Sequence, residues 1–394
     1  MDALERYRDE FPILARSVYM ISNSLGAMPR QTARNLAEYA ETWATRGVRA
    51  WEERWWEMPA EVGNKIGRII GAPAGAVSMH ENVTTAQMAA LSCLRPSSGR
   101  RRIVCSALDF PSMVYLYRAQ QAAGFELVVV PGEDDLTAST ARMLAAIDET
   151  TMVVACSHVL FRTSYIVDAA AIAQRAREVG AAVILDTYQS AGIIPVDVTA
   201  LGVDFAVGGC LKWLCGGPGN AFLYTRPDVL KRAQPSFTGW LARRHPFDFD
   251  IDDDAFRDDA MRMMNGTPAI PAYYAALAGL DIVNAVGIER IRAASKQMTS
   301  RLLTLVDDYG FTSAASRDPE RLAGTVAVSV PDAPLVSRTL KARDFVVDYR
   351  PPVGVRISPH FYNTVDEVER IMAEIQSIVA KRDYDAGGSA SLVT

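Results

Sequence analysis

The sequence predicts an α/β protein: a large domain with a mostly parallel sheet between helices, followed by a smaller α+β domain. Two observations predict the large domain. The runs RRIVCSA, ELVVVPG, TMVVACSH, AAVILDT, VDFAVGG and NAFLYT are short and almost continuously apolar, as strands covered on both faces must be. Between them lie amphipathic stretches such as DAAAIAQRAREVG, apolar at helical spacing and closed by Gly. A third observation predicts the smaller domain. Long helical patterns (PAYYAALAGLDIVNAVG, GIERIRAASKQMTSRLLTLVDDYG) precede short strands (GTVAVSV, RDFVVDYR, GVRISP) and a last helix, TVDEVERIMAEIQSIVAKR. The resulting division is an N-terminal segment, 1–50, joining the small domain; a large domain, 51–270; and the small domain, 271–394.

A chain of 394 residues is long enough for both cores. Its hydrophobic share of 49% and charged share of 22% are those of an ordinary soluble protein, and a net charge of −5 gives no reason to expect nucleic acid or an anionic membrane as partner. The start, MDALERYRDEFPILARSV, is charged and lacks the apolar run of a signal peptide; no uncharged apolar run is long enough to span a bilayer. The cytoplasm is therefore the expected location. Five scattered cysteines without a CxxC pair, and only four histidines, argue against a disulfide framework or a zinc site, so no metal is expected. They read as small buried hydrophobes in a reducing compartment, with Cys215 set apart by its place beside Lys212. FDFDIDDDAFRDD lacks the Gly and terminal Glu of a calcium loop and reads as a solvated loop, and the tail DAGGSASLVT reads as mobile.

Ligands of such sheets bind beyond the carboxyl ends of the strands, so the chemistry belongs there. AAVILDTYQSAG puts Asp186 at a strand end, where a carboxylate can keep a pyridinium nitrogen protonated; Gln189, three residues on, is placed to hydrogen-bond a ring oxygen. One strand later, VDFAVGG leads to Lys212 and then to Cys215-Gly216-Gly217-Pro218-Gly219. A buried strand-end lysine can form a Schiff base near neutral pH, and glycines let backbone and ligand approach closely. Asp186 alone reads as a helix cap and Lys212 alone as a surface lysine, but as a pair they point to pyridoxal 5′-phosphate (PLP). His80-Glu81-Asn82-Val83-Thr84-Thr85 opens a helix whose free N–H groups suit a phosphate, with the Thr84 and Thr85 hydroxyls as further donors. Phe110, in Asp109-Phe110-Pro111-Ser112, is placed to stack on a ring, against the usual reading of a core aromatic. Arg356, at the end of a small-domain strand, can hold a substrate carboxylate through a bidentate pair, against a plain salt bridge.

Over most of its length the sequence resembles the kynureninase branch of the class V aminotransferase superfamily, fold type I PLP-dependent enzymes. The resemblance rests on Asn23-Ser24-Leu25-Gly26, Trp51, Phe110-Pro111-Ser112 and Ser157-His158-Val159-Leu160-Phe161-Arg162-Thr163. LDTYQSAGIIPVDVTALGVDFAVGGCLKWLCGGPG, Gly239-Trp240, Asn265-Gly266-Thr267 and Asp348-Tyr349-Arg350 complete it. It implies that Lys212 carries PLP, Asp186 faces the pyridine nitrogen, Phe110 stacks on the ring and Thr84 or Thr85 binds phosphate. It also implies a homodimer in which Trp240 and Thr267 reach the phosphate of the neighbouring subunit, with Arg356 on the substrate α-carboxylate and Asn23 and Ser24 on the substrate side. The implied reaction is cleavage of an amino acid at Cβ through a quinonoid, by hydrolytic Cβ–Cγ scission or by elimination.

The sequence departs from that pattern at Gln189 (His in the family), Leu211 (Tyr), Met113 (Asp) and Leu160 (Asn). These changes open a second expectation with the same cofactor: transamination, racemisation, desulfuration or oxidative decarboxylation. Every cysteine lies at or before position 215, which lowers desulfuration. A non-enzymatic PLP-binding regulator is the remote third, since no helix-turn-helix precedes the fold. His158, Arg162, Tyr188, Arg243, Arg244 and His360 are candidate selectors of the substrate side chain.

Overall fold

Asp186, the last residue of one apolar strand, stands beside Val207 in a seven-stranded sheet, and the neighbouring strand runs two residues further to end at Gly209. The computed structural model describes residues 4–134 and 136–385; residues 386–394, most of the expected mobile tail, lie outside the described residues. Strands are numbered in chain order. A short β1 (Val18–Tyr19) precedes β2 (Val77–His80), β3 (Arg102–Ser106), β4 (Glu126–Val130), β5 (Thr151–Ser157), β6 (Ala182–Asp186), β7 (Phe205–Gly209) and β8 (Ala221–Thr225). The spatial order of the large sheet is β2-β8-β7-β6-β5-β3-β4. From β4 to β7 all neighbours are parallel, while β8 runs antiparallel to both β7 and β2. The six apolar runs all become strands of this sheet. Strand β2 was not legible, because Val-Ser-Met-His is four residues long and polar at two positions; Ser78 and His80 are buried and satisfy each other by a 3.1 Å hydrogen bond.

DAAAIAQRAREVG forms the helix Ala169–Val179 that carries the chain from β5 to β6. Asp168 caps its start by accepting the Ala171 N–H, and Gly180, at φ +71°, ends it in the left-handed conformation that Gly adopts most easily. The helix buries Ile172, Ala173, Ala176 and Val179 against the sheet.

The smaller layer holds β9 (Val326–Val328), β10 (Phe345–Val346), β11 (Asp348–Arg350) and β12 (Gly354–Ile357). β11-β12-β9 is an antiparallel sheet, covered by the helices Ile288–Asp308, Ala333–Ala342 and Val365–Lys381. β1 pairs in parallel with β10, which ties the N-terminal segment to this layer; Val18 and Met20 sit in its core with Leu302, Val328, Val355 and Ile371.

Packing differs from the expected division at two helices. Arg30–Arg46 lies against Ile270–Val286, which in turn lies against Met58–Ile70 on the large domain, and Tyr273, Leu280 and Val283 share a core with Val62 and Ile66. The reason is in the sequence: Ile270–Val286 is apolar on nearly all sides and needs cover all round, whereas Ile288–Asp308 has one apolar face and suits the small layer. The chain turns between them at Gly287. No single described helix is long and apolar enough to cross a membrane.

Candidate active site

Beyond the carboxyl ends of β5, β6 and β7 lies a cavity of about 390 Å³ lined by Thr84, Phe110, Asp186, Tyr188 and Lys212, among others. After β7 the chain closes a tight turn: the Cys215 N–H donates to the Lys212 carbonyl at 3.0 Å and the Gly216 N–H to that of Cys210 at 2.7 Å. The turn projects the Lys212 side chain inward, with Nζ 4.4 Å from the Tyr188 ring centre and 5.9 Å from that of Phe110. The N-terminal segment lies directly on this turn. The Gly26 N–H donates to the Leu211 carbonyl at 2.8 Å, and a Cβ at Gly26 would stand 2.1 Å from the Lys212 oxygen.

Asp186 is buried, and its Oδ1 accepts the Tyr188 N–H at 2.8 Å. Burial pushes its carboxyl above the usual range, opposed by that N–H and by Lys212. Burial pushes the Lys212 amine down; Asp186 resists, and Arg356 and Arg350 add to the depression. The site thus brings the amine from its ordinary 10.5 down to about 7, so that a neutral fraction is present near neutral pH. Burial also raises the Tyr188 phenol, which stays protonated.

The two threonines separate. The helix Val83–Leu91 opens with a capping box: Asn82 accepts the Thr85 N–H at 3.0 Å, and the Thr85 hydroxyl donates to the Asn82 carbonyl at 2.7 Å. Thr85 is occupied as a cap and does not line the cavity, whereas Thr84 does. Phe110, expected either to stack or to pack in the core, is 44% exposed and meets Phe161 edge to face at 5.2 Å. An exposed ring facing a cavity has area to give to a ligand.

Gln189 is not free for a ring oxygen to the extent its spacing implied. Its Nε2 donates to the Asn23 carbonyl at 2.9 Å and its Oε1 accepts the Trp213 indole N–H at 2.9 Å. His360 Nε2–H extends the chain by donating to the Trp213 carbonyl at 2.8 Å. Gln189 therefore pins the N-terminal segment to the lysine turn. Asn23 is buried with neither side-chain polar atom partnered, while Ser24 lines the cavity. Arg356 is also committed: Nε and Nη2 form a bidentate pair with Asp348 at 2.8 and 2.5 Å, and Nη1 donates to the Phe161 carbonyl at 2.5 Å. Arg350 joins the same carboxylate at 3.2 Å.

Of the remaining candidates, Trp240 and Thr267 do not line the cavity of their own chain. Trp240 lies among Trp56, Phe247 and Phe249, and Thr267 is exposed. His158 and His360 are buried, with burial pulling both down to about 4, so they are neutral. Arg162 stacks on Phe161, and Arg243 and Arg244 sit in the loop that follows Trp240, against Phe256 and Asp258. Cys215 is buried, and burial pushes its thiol up to about 12, which leaves it inert.

Sequence reasoning missed Asp109 as a builder of the site. Its buried carboxylate accepts the Ser106 and Ser157 N–H groups, both at 2.8 Å, locking the ends of β3 and β5 and so fixing Phe110. The available signal was an acidic residue three positions past the end of an apolar strand. Asp348 was also missed; its mark was the two-residue alternation that sets it opposite Arg356 across β11 and β12.

A family model described as aminotransferase class V matches residues 18–371. The chain belongs to the class V aminotransferase family. Two curated relatives show the range. The chain is similar to the uncharacterized aminotransferase YcbU of Bacillus subtilis, at 30% identity over 94% of this chain and 97% of that one. It is similar to a kynureninase of Bacillus thuringiensis at 28% identity over 97% and 93%. Among solved structures, the apo cysteine desulfurase of Thermococcus onnurineus superposes with a TM-score of 0.84 at 22% identity, over 96% of this chain and 98% of that one. A C-DES mutant with glycine covalently linked to the PLP cofactor gives 0.83 at 20%, over 94% and 98%. The architecture is fold type I, and the cofactor of this class V enzyme is PLP. The class V site fits it: a depressed lysine amine, a buried strand-end carboxylate, an uncommitted helix-start threonine and an exposed aromatic face meet in one cavity.

Proposed function

We propose that this PLP enzyme cleaves an amino acid at Cβ, by hydrolytic Cβ–Cγ scission or β-elimination. The observation that carries the reading is the convergence of Lys212, Asp186, Thr84 and Phe110 on one cavity; likeness to kynureninases over 97% of the chain supports the outcome. When bound, PLP supplies an electron sink for the pair left when a bond at the substrate's α-carbon breaks. Lys212 holds the cofactor and, once released, removes the Cα proton with Nζ. Asp186 faces the pyridine nitrogen and keeps it protonated, for which the carboxylate must be ionised beside a cation despite its burial. Thr84 and the free N–H groups of its helix hold the phosphate, and Phe110 covers the ring. Arg356 grips the substrate carboxylate with its remaining N–H groups, held in plane by Asp348. Val159, Phe161 and Leu211 give the substrate side an apolar wall against which the substrate side chain can pack. A second copy of the chain supplies Trp240 and Thr267.

Incubation of the purified enzyme with L-kynurenine and 3-hydroxykynurenine is the test, with alanine and the corresponding anthranilate as expected products. Their absence would sink hydrolytic scission of kynurenines. A second reading keeps the cofactor and ends in transamination, racemisation or oxidative decarboxylation. It is favoured by one observation: Leu211 lines the cavity and Gln189 is tied to Asn23 and Trp213, so polar groups are fewer beside the cofactor. Conversion of an amino acid to its keto acid, its enantiomer or its decarboxylated product would select it.

A further inference from the structure

A larger cleft, about 510 Å³, opens at the other end of the sheet, where the strands begin. Ala182 at the start of β6 lines it, and Asp186 at the end of β6 lines the active site, so the two are separated by a strand about 13 Å long. Leu94, Met152 and Val229 give the cleft an apolar floor, and Arg100, Arg177, Arg226 and Arg232 stand around it. These guanidiniums are not equivalent. Arg100 caps the end of the helix Ala169–Val179 by donating to the Val179 and Gly180 carbonyls. Arg226 is held by Asp204 at 3.1 Å and Asp228 at 2.5 Å. Arg177 has one long contact, 3.5 Å to the Gly202 carbonyl, and is in no ion pair among the described residues, Glu178 being taken by Arg175 at 3.6 Å. Arg232 reaches only Asp228, at 3.7 Å, with its side chain 69% exposed. Four cations thus face two carboxylates, and two of the cations keep most of their donors free.

We propose that this cleft is a second binding site, for an amphipathic anion: a carboxylate or phosphate group carried on a compact apolar body. Arg177 and Arg232 take the anionic head, for which planar, weakly hydrated guanidiniums are suited. Leu94, Met152 and Val229 take the apolar body. Nothing in the chemistry proposed for Lys212 uses these residues, so the site stands whatever the reaction is.

The test is calorimetric titration of the PLP-saturated enzyme with phenyl phosphate, its phosphate cup already filled, beside inorganic phosphate and benzyl alcohol as half-probes. One saturable site per chain is expected for phenyl phosphate, with each half-probe at least about tenfold weaker. The Arg177→Gln/Arg232→Gln double variant, which spares the capping and ion-paired arginines, should weaken it at least about tenfold with the visible absorbance of the bound cofactor unchanged. Absence of saturable binding, equal affinity in the double variant, or inorganic phosphate binding as tightly as phenyl phosphate would each overturn the proposal. If the double variant fails to fold, Arg177→Lys keeps the charge but not the fork. An affinity unchanged by that variant would equally overturn the assigned role of Arg177.

Discussion

Lys212 works only as a free amine, and burial beside Arg356 and Arg350 is what frees it, while Asp186 at the neighbouring strand end acts in the opposite sense. The balance makes Asp186 the more informative residue to change. Asp186→Asn keeps the shape and removes the charge that holds a pyridinium proton; turnover is expected to fall by about two to four orders of magnitude with PLP still bound. Steady-state rates and the cofactor's visible spectrum, measured together, check this. The paired threonines give a sharper contrast. Thr84→Val should weaken PLP affinity by about 1.5–3 kcal/mol, the worth of a hydrogen bond to a charged group. Thr85→Val should leave affinity nearly intact and cost about 1 kcal/mol of stability through the lost cap. Cofactor titration and thermal melting of the two variants separate the roles; the reverse assignment would show as the reverse pattern.

At the scale of elements, the site is held by joints rather than by any one strand. Gly26 lets the N-terminal segment lie against the lysine turn, and Gln189 and Trp213 fasten it there. Gly26→Ala puts a methyl 2.1 Å from the Lys212 carbonyl oxygen, so the segment must lift. The expected result is a rise in KM and faster proteolysis near residue 26, measured by kinetics and limited digestion. Asp348→Ala leaves Arg356 buried without its carboxylate, at a cost of about 3–5 kcal/mol, readable as a fall in Tm. Legibility followed the same line. Asp186, Lys212 and Phe110 were readable because each lies at or within four residues of the carboxyl end of an apolar strand, where this fold places chemistry. Gln189 and Arg356 were read as free to meet ligands because their partners 166 and 195 residues away leave no local mark in sequence, whereas Thr85 is taken by a local cap on Asn82 that the sequence did carry. β2 and the two helices that moved to the large domain were hidden for the same reason: tertiary cover decided them, not local pattern.

The molecule as a whole carries an acid liability. Burial pulls His80, His158 and His360 from 6.5 to about 4. The unfolded chain binds a proton at each below about pH 6.5, and the folded one does so only near 4, so stability rises with pH across that window and is lost on acidification. Each contributes about 3 kcal/mol when the window is crossed in full. Asp109 and Asp186, both raised by burial to about 6, work the other way between about 4 and 6 and offset part of the loss. Urea unfolding at pH 7 and pH 5 should show a marked fall, shallower by about one bound proton in His80→Gln. No fall would mean that these rings are not buried neutral in solution.

Six lysines occur in the chain: Lys65, Lys212, Lys231, Lys296, Lys341 and Lys381. Borohydride reduction of the PLP-loaded enzyme, followed by peptide mapping by mass spectrometry, asks directly which of them holds the cofactor. The account predicts a single phosphopyridoxyl group on Lys212, absent from Lys212→Ala. A stoichiometric label on any of the other five, or none on Lys212, would contradict it.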